Sequence, residues 1–290
     1  MKLTLINKDN QVLDLLHNRD KFILTAAEGL HGIETEFAES ATPYTDGVTV
    51  DSVKALPRGI VLTFTLRGNI KASIDYFTSI VKSKQYVTLR EIEGGRDITI
   101  KGIATIPPYS RMLQNCKITL SIYCGQPYWE DIGYLVETIS EYINLLCFPV
   151  AGQYLPVSGR PFGAINTNPT KTITNNGDDA VGMIIKIVCV RDLVMYPRIS
   201  CSTGKQNGWH MSLNVILVKN DELIISTVKN DKYITINGLD TYNGEPILNY
   251  LDWQGEDWLQ LETGVNTFSV STPSARVNLY LSIQYKGRYE

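Results

Sequence analysis

The residues best equipped for chemistry are few and far apart. Histidine occurs three times, as His17, His31 and His210, at separations that fit no zinc-ligand spacing. Neither HExxH nor GxSxG nor GxGxxG occurs, which leaves no metalloprotease helix, nucleophile elbow or dinucleotide loop to argue from. STGKQ at 202–206 resembles a fragment of a phosphate loop, but it lacks the earlier glycine and the Ser/Thr after the lysine, so it reads as a turn. NNGDD at 175–179 offers Asn175, Asp178 and Asp179 as calcium oxygens. Asn-Gly is foremost a hairpin signal, and the turn is the reading kept. Asp252, Glu256 and Asp257 surround two tryptophans in LDWQGEDWLQLE. Paired carboxylates are what a glycosidase needs, yet spacing along one segment does not fix a distance in space. An enzyme built on Glu256 and Asp257 is the reading with least behind it, and no cofactor or metal is expected.

Aromatic faces are the other candidate chemistry. Trp209, Trp253 and Trp258 fall in the C-terminal half, and rings of this kind stack sugars in β-sandwich carbohydrate modules. In WLQLE, alternation sets Trp258, Gln260 and Glu262 on one side and Leu259 and Leu261 on the other. If the leucines face a core, Trp258 looks outward, toward a ligand or a neighbouring subunit. These three tryptophans are the candidate ligand-binding residues.

Such residues need a scaffold, and the scaffold reads as mostly strand. KLTLIN and GIVLTFTLRG (59–68) alternate with period two. The period changes in NIKASIDYFTSIVKSK, where Ile70, Ile74, Phe77, Ile80 and Val81 mark one face of a helix over 70–84. Asn69 stands at the N-cap, and Lys82 and Lys84 suit the last turn. YVTLREIE and RDITIKGIAT flank Gly94-Gly95 as a hairpin over 86–105. CKITLSIYCGQPYWED (116–131) reads as a further strand, and the spacing of Leu135, Ile139, Ile143 and Leu146 predicts a second helix over 133–146. Prolines crowd 147–171, placing a domain boundary there: 1–147 and 148–290. Beyond it, short strands separated by turn residues predict a β-sandwich or jelly roll.

Composition narrows the function classes. With 290 residues, 43% of them hydrophobic and 20% charged, the chain can bury a large core without disulfide or metal staples. A net charge of −3 argues against an electrostatic nucleic-acid binder. The five cysteines (Cys116, Cys124, Cys147, Cys189 and Cys201) include no CxxC pair and read as reduced, buried small hydrophobes, which points to folding in a reducing cytoplasm. MKLTLINKDNQ has no apolar run of signal-peptide type, and none elsewhere is long enough to span a bilayer.

The ordered segments resemble a family. A strand-rich first half closing on IYCGQPYWED is similar to the N-terminal domain of siphophage-type distal tail proteins. In the second half FPV (148–150), NNGDD, MYPRI (195–199), DELIIST (221–227), KYITING (232–238), LQLETGVNTF (259–268) and the final QYKGRYE resemble, in order, that family's C-terminal β-sandwich. The resemblance implies a mainly β fold with one or two helices. Its N-terminal domain would be β-barrel-like or split-barrel with a helix, and its C-terminal sandwich galectin-like. It also implies a non-enzymatic component of a phage tail or phage-tail-like particle, assembled in the bacterial cytoplasm and placed at the tail tip or baseplate. The implied partners are further copies of itself in a ring, a hexamer in this family, with the tail tube protein, the tail-tip hub or tail-associated protein and a receptor-binding protein; no membrane or specific nucleic acid is among them. Ring contacts are expected on the 70–84 helix and the 86–105 hairpin, with Ile74, Phe77, Glu91 and Arg96 as candidates. The alternative is a free-standing carbohydrate-binding module adhering to host cell-wall glycans.

Overall fold

The computed structural model describes residues 1–41, 46–108, 116–140, 142–144, 163–165, 169–190, 193–202, 204–252, 258–273 and 279–290. They form two compact units: Met1–Ile132 together with Arg288–Glu290, and Gly133–Gly287. The expected join at 147/148 lies outside the described residues, whereas the division between units falls at 132/133.

Among its described residues the first unit contains ten consecutive strands and one helix. In chain order these are β1 (Lys2–Asn7), β2 (Val12–Asp14), β3 (Phe22–Glu28), β4 (Thr35–Ser40), β5 (Thr49–Ala55), β6 (Arg58–Leu66), α1 (Ile70–Ile80), β7 (Gln85–Glu93), β8 (Arg96–Thr105), β9 (Lys117–Cys124) and β10 (Trp129–Asp131). Strand order in the main sheet is β2-β1-β7-β8-β9-β6-β3. The sheet splits along β8: Ile103–Thr105 pair with β9, while Ile98 and Thr99 pair with β10. Among the described residues the strands do not close into a ring.

Alternation decides which face is covered. Leu3 and Leu5, Leu62 and Phe64, Val87 and Leu89, and Ile118 and Leu120 all point to one side and are buried. Helix α1 lies among them because its spacing gathers Ile74, Phe77 and Ile80 on one stripe. Phe22, Phe64 and Phe77 meet with ring centroids 5.2–5.8 Å apart; Phe22 meets both others edge-on, a favourable arrangement, and Phe64 and Phe77 are tilted. The Asn69 side chain accepts from the Ala72 N–H at 3.2 Å. At the other end the helix stops at Ile80, not at 84: Val81 turns extended and drops its side chain into the core. Lys82 and Lys84 therefore lie beyond the helix.

Strands β4 and β5 stand apart. They pair only with each other, from Thr35↔Ala55 to Ser40↔Thr49 with a bulge between Ala38 and Glu39, and no residue of either contributes to the core.

The second unit contains β11 (Leu135–Ser140), β12 (Tyr142–Asn144), β13 (Gly163–Ile165), β14 (Thr170–Asn175), β15 (Met183–Cys189), β16 (Leu193–Met195), β17 (Arg198–Cys201), β18 (His210–Ser212), β19 (Ile216–Val218), β20 (Glu222–Val228), β21 (Asp231–Ile236), β22 (Thr241–Tyr242), β23 (Glu245–Pro246), β24 (Gly264–Ser271) and β25 (Leu279–Tyr285). A five-stranded sheet, β11-β25-β15-β20-β21, and a four-stranded one, β14-β24-β17-β18, share one core that includes Ile185, Ile187, Ile225, Leu281, Ile199 and Phe268. This is the expected sandwich. Gly182 sits so close to β20 that a Cβ would stand 2.4 Å from the Val228 Cα.

The second helix, expected over 133–146, is replaced by strands. Leu135–Ser140 pairs with β25 from Leu135↔Tyr285 to Ser140↔Tyr280. A repeat of four is an even number, so Leu135, Ile139 and Ile143 suit one face of a strand as well as a helical stripe. β-branched Val136, Thr138 and Ile139 then favour the strand.

After β25 the chain ends in β26 (Arg288–Tyr289), which pairs with β10 through Trp129↔Tyr289 and Glu130↔Arg288. No helix among the described residues is long and apolar enough to cross a membrane.

Candidate functional site

The residues singled out for chemistry do not converge. His17 and His31 fall in the first unit and His210 in the second. His17 rests 3.1 Å from Asp14 in a local pair. Among the described residues no three of the His, Cys, Asp and Glu side chains are grouped to hold a metal. In NNGDD, Asn175 is buried and used internally: its Oδ1 accepts from the Gly177 N–H at 2.9 Å, and its Nδ2 donates to the Asp179 and Leu261 carbonyls. It is a turn anchor. Of STGKQ, Gly204–Gln206 form a single 3-10 turn, and Thr203 lies outside the described residues.

Trp253, Glu256 and Asp257 lie outside the described residues. Trp258 is half-buried against the sandwich core, as is Trp209. Leu259 and Leu261 are fully buried, so the alternation expected in WLQLE holds. The Lys232 ammonium stands over the Trp258 ring, 5.3 Å from its centre, a cation–π contact. Sequence reasoning missed Gln206. Its buried carboxamide accepts from the Gln260 N–H at 3.0 Å and donates to Glu262 at 3.3 Å, fixing this segment.

The residues expected at a ring contact divide. Ile74 and Phe77 are core residues: α1 is amphipathic because it covers its own sheet, so these two side chains are not available to a neighbour. Glu91 is buried as well, with Oε1 3.9 Å from His31 Nε2 and Oε2 without a hydrogen-bond partner. Burial pushes its carboxyl above the ordinary range, partly offset by His31. Arg96 is exposed and stacks over Tyr289 at 5.1 Å.

Near Glu91's partner His31 lies a polar cluster that sequence reasoning did not find. Arg58 and Trp129 are both buried, and both donate to the Leu30 carbonyl, through Nη1 at 2.7 Å and the indole N–H at 2.8 Å. Arg58 Nε and Nη2 have no hydrogen-bond partner. Burial lowers the Arg58 pKa, opposed by Cys124 and by the Glu290 charge; the guanidinium remains a cation. Burial raises the Cys124 thiol to about 11, so this cysteine is not a nucleophile. Beside the cluster is a pocket of about 270 Å³, bordered by Gly29, His31, Glu34, Arg58 and Gly59. Its unpaired donors are sealed from the pocket, so the arrangement is structural in character.

Large apolar side chains are exposed on both units, among them Val136, Val218, Leu239 and Val265 on the second. On the β4–β5 hairpin, Phe37, Val50 and Val53 are open to solvent, and on the face of the main sheet opposite the core so are Tyr86 and Tyr123. Exposed apolar clusters of this kind mark contact surfaces.

Comparison with known proteins fits that character. Residues 176–289 match the family described as siphovirus-type tail component, C-terminal domain. The resemblance to siphophage-type distal tail proteins is borne out. Over its whole length the chain also superposes on the crystal structure of SPP1 Dit, described as a paradigm of the hub adsorption apparatus in phages infecting Gram-positive hosts, with a TM-score of 0.63 and 14% identity, covering 99% of each chain. Chains of the phage P2 baseplate in its activated conformation are fainter likenesses. With calcium the TM-score is 0.42 and identity 12%, over 100% of this chain and 98% of that one; with strontium the values are 0.42 and 12%, over 98% and 97%. A search of curated proteins returned no match.

Proposed function

We propose that this chain is a structural hub component of a phage tail or phage-tail-like particle, joining the tail tube to the tip. In this reading the first unit associates with further copies of itself in a ring, the tube and tail-tip proteins bind that ring, and the sandwich carries receptor-binding components. The observation that carries it is the family match over 176–289. The whole-chain fold and a first unit that leaves large apolar side chains in solvent support it. The proposed role is assembly rather than catalysis, and its place is the tail tip.

The test is the mass of the purified protein by light scattering, with negative-stain electron microscopy. Six-fold rings at about six times the 32.5 kDa chain mass are expected. A single chain at every concentration, binding neither tube nor hub protein, overturns the proposal. Glycan adhesion through Trp209, Trp253 and Trp258 is the competing reading. The packing of Trp209 and Trp258 on the core, with Lys232 over the latter, supports a structural use instead.

A further inference from the structure

We propose that Asn243-Gly244, at the tip of the β22–β23 hairpin, is a site of spontaneous deamidation, left open by a fold that guards the other Asn-Gly pairs, and that conversion there uncovers the edge of β19. The inference stands apart from the self-association proposed above and does not need it.

An Asn-Gly step carries its own nucleophile and leaving group. The glycine backbone nitrogen, once hydroxide has taken its proton, attacks the side-chain carbonyl carbon of the asparagine. A C–N bond forms, the bond to Nδ2 breaks, and ammonia leaves with a proton from water. Water then opens the cyclic imide at either carbonyl, giving aspartate or, with an extra methylene in the main chain, isoaspartate. Glycine is the best follower because no Cβ shields its nitrogen. A hydrogen bond held by that nitrogen or by the carboxamide has to be given up before the two can meet.

Asn-Gly occurs four times, at Asn176, Asn207, Asn237 and Asn243, and the fold treats the four differently. The Gly177 N–H is buried and donates to Asn175 Oδ1 at 2.9 Å. The Gly208 N–H donates to the Cys201 carbonyl at 2.9 Å. At Asn237 the carboxamide itself is tied down: its oxygen accepts from the Glu222 N–H at 2.9 Å, and its nitrogen donates to Asp221 at 2.7 Å. Asn243 and Gly244 are both exposed, and among the described residues neither the carboxamide nor the Gly244 N–H has a hydrogen-bond partner. Open space surrounds the Gly244 Cα.

The position of this pair gives its conversion a structural reach. Tyr242 comes immediately before it. The Tyr242 hydroxyl accepts from the Ile216 N–H at 3.2 Å and donates to the Ile216 carbonyl at 3.3 Å, while its ring meets Tyr250 edge-on at 5.1 Å. Ile216 pairs with Met195 of β16 on its other side, so one hydroxyl serves both backbone groups that β19 turns outward. Asn243 and Gly244 hold φ of 51° and 83°, the two positive values of a type I′ turn between Tyr242 and Glu245. An added methylene does not fit that turn, and an added carboxylate stands within three positions of Asp240 and Glu245, both exposed. Tyr242 is then drawn from Ile216, leaving an unpaired strand edge of the kind that recruits other strands.

The test incubates the full chain at mildly alkaline pH and follows each Asn-Gly peptide by mass, since deamidation adds about 1 Da. Cleavage before Asp240 separates the Asn237 and Asn243 peptides. Asn243 is expected to convert roughly five- to tenfold faster than the other three, the factor that one retained hydrogen bond supplies. In guanidinium the four rates should draw together. Asn176, Asn207 or Asn237 converting as fast in the folded chain, or Asn243 keeping its full lead in guanidinium, overturns the site. Hydrogen exchange reads the second half: the Ile216 amide should lose protection in step with conversion. Asn243→Gly, which keeps the turn but has no carboxamide, should hold that protection through the same incubation. Protection unchanged in the converted wild type, or lost equally in Asn243→Gly, overturns the uncovering of β19.

Discussion

The Leu30 carbonyl accepts from two buried donors, and its neighbourhood is where single substitutions should be felt most. Trp129→Phe removes the 2.8 Å hydrogen bond and part of the buried ring volume, and a loss of at least about 1–3 kcal/mol is expected in urea unfolding. Glu91 should behave in the opposite sense. Its folded-state pKa is raised above the ordinary value of 4.5 by burial. The stability this contributes is therefore fully present below about pH 4.5 and is lost as pH rises through the folded-state value. Glu91→Gln is expected to raise the melting temperature at pH 7.5, and the gap to wild type should close as pH falls toward 4. A constant gap across that range would show that the carboxyl does not titrate on folding. None of this cluster was legible in the sequence. Arg58 sits in Pro-Arg-Gly, which reads as a solvated turn, and its burial depends on Leu30 and Trp129, partners 28 and 71 positions away that local pattern cannot supply.

Helix α1 was legible because two independent local signals agree, the spacing of Ile70, Ile74, Phe77 and Ile80 and the capping side chain of Asn69. Asn69→Ala is expected to cost about 1 kcal/mol, and Phe77→Ala, which empties the centre of the three-ring cluster, about 3–5 kcal/mol, both measurable by denaturant midpoint. Strand Leu135–Ser140 was misread because four-residue spacing serves both periods, and only its pairing with Leu279–Tyr285 decides between them. The β4–β5 hairpin was only partly legible. VTVD alternates, but FAES does not, and nothing local says that Phe37 and Val53 will be left open. In the sandwich, the outward aspect of Trp258 followed from the leucines beside it, while the stacking by Lys232 did not, being a contact across 26 positions. Trp258→Ala should lower the melting temperature of the second unit by removing packing, and calorimetric titration with cell-wall glycans should be unchanged. Glycan binding that is present in wild type and absent in the variant would instead restore the sugar reading.

At the scale of the molecule, strand-and-turn rhythm made the mainly β architecture and the C-terminal sandwich readable. The point of division was not, because the proline-rich run that suggested 147/148 says where local order changes, not where contacts between units thin out. The return of the last three residues to the first unit was also invisible, being a pairing of positions 158 apart. Arg288 contacts Glu130 at 3.4 Å, and the Tyr289 hydroxyl donates to Asp131 at 3.3 Å. Deleting Arg288–Glu290 should therefore lower the unfolding midpoint of the first unit although the whole sandwich remains. That return has a further consequence. In topology the sandwich is a cassette inserted between two neighbouring strands of an otherwise continuous domain, and Glu130 facing Arg288 marks both of its borders. Ends that already pair can be closed by a hairpin loop of two to five residues, so replacing 133–287 with such a loop should leave a folded first unit. By the same geometry a different sandwich could be spliced in at these borders while the strands on either side of the splice keep their register.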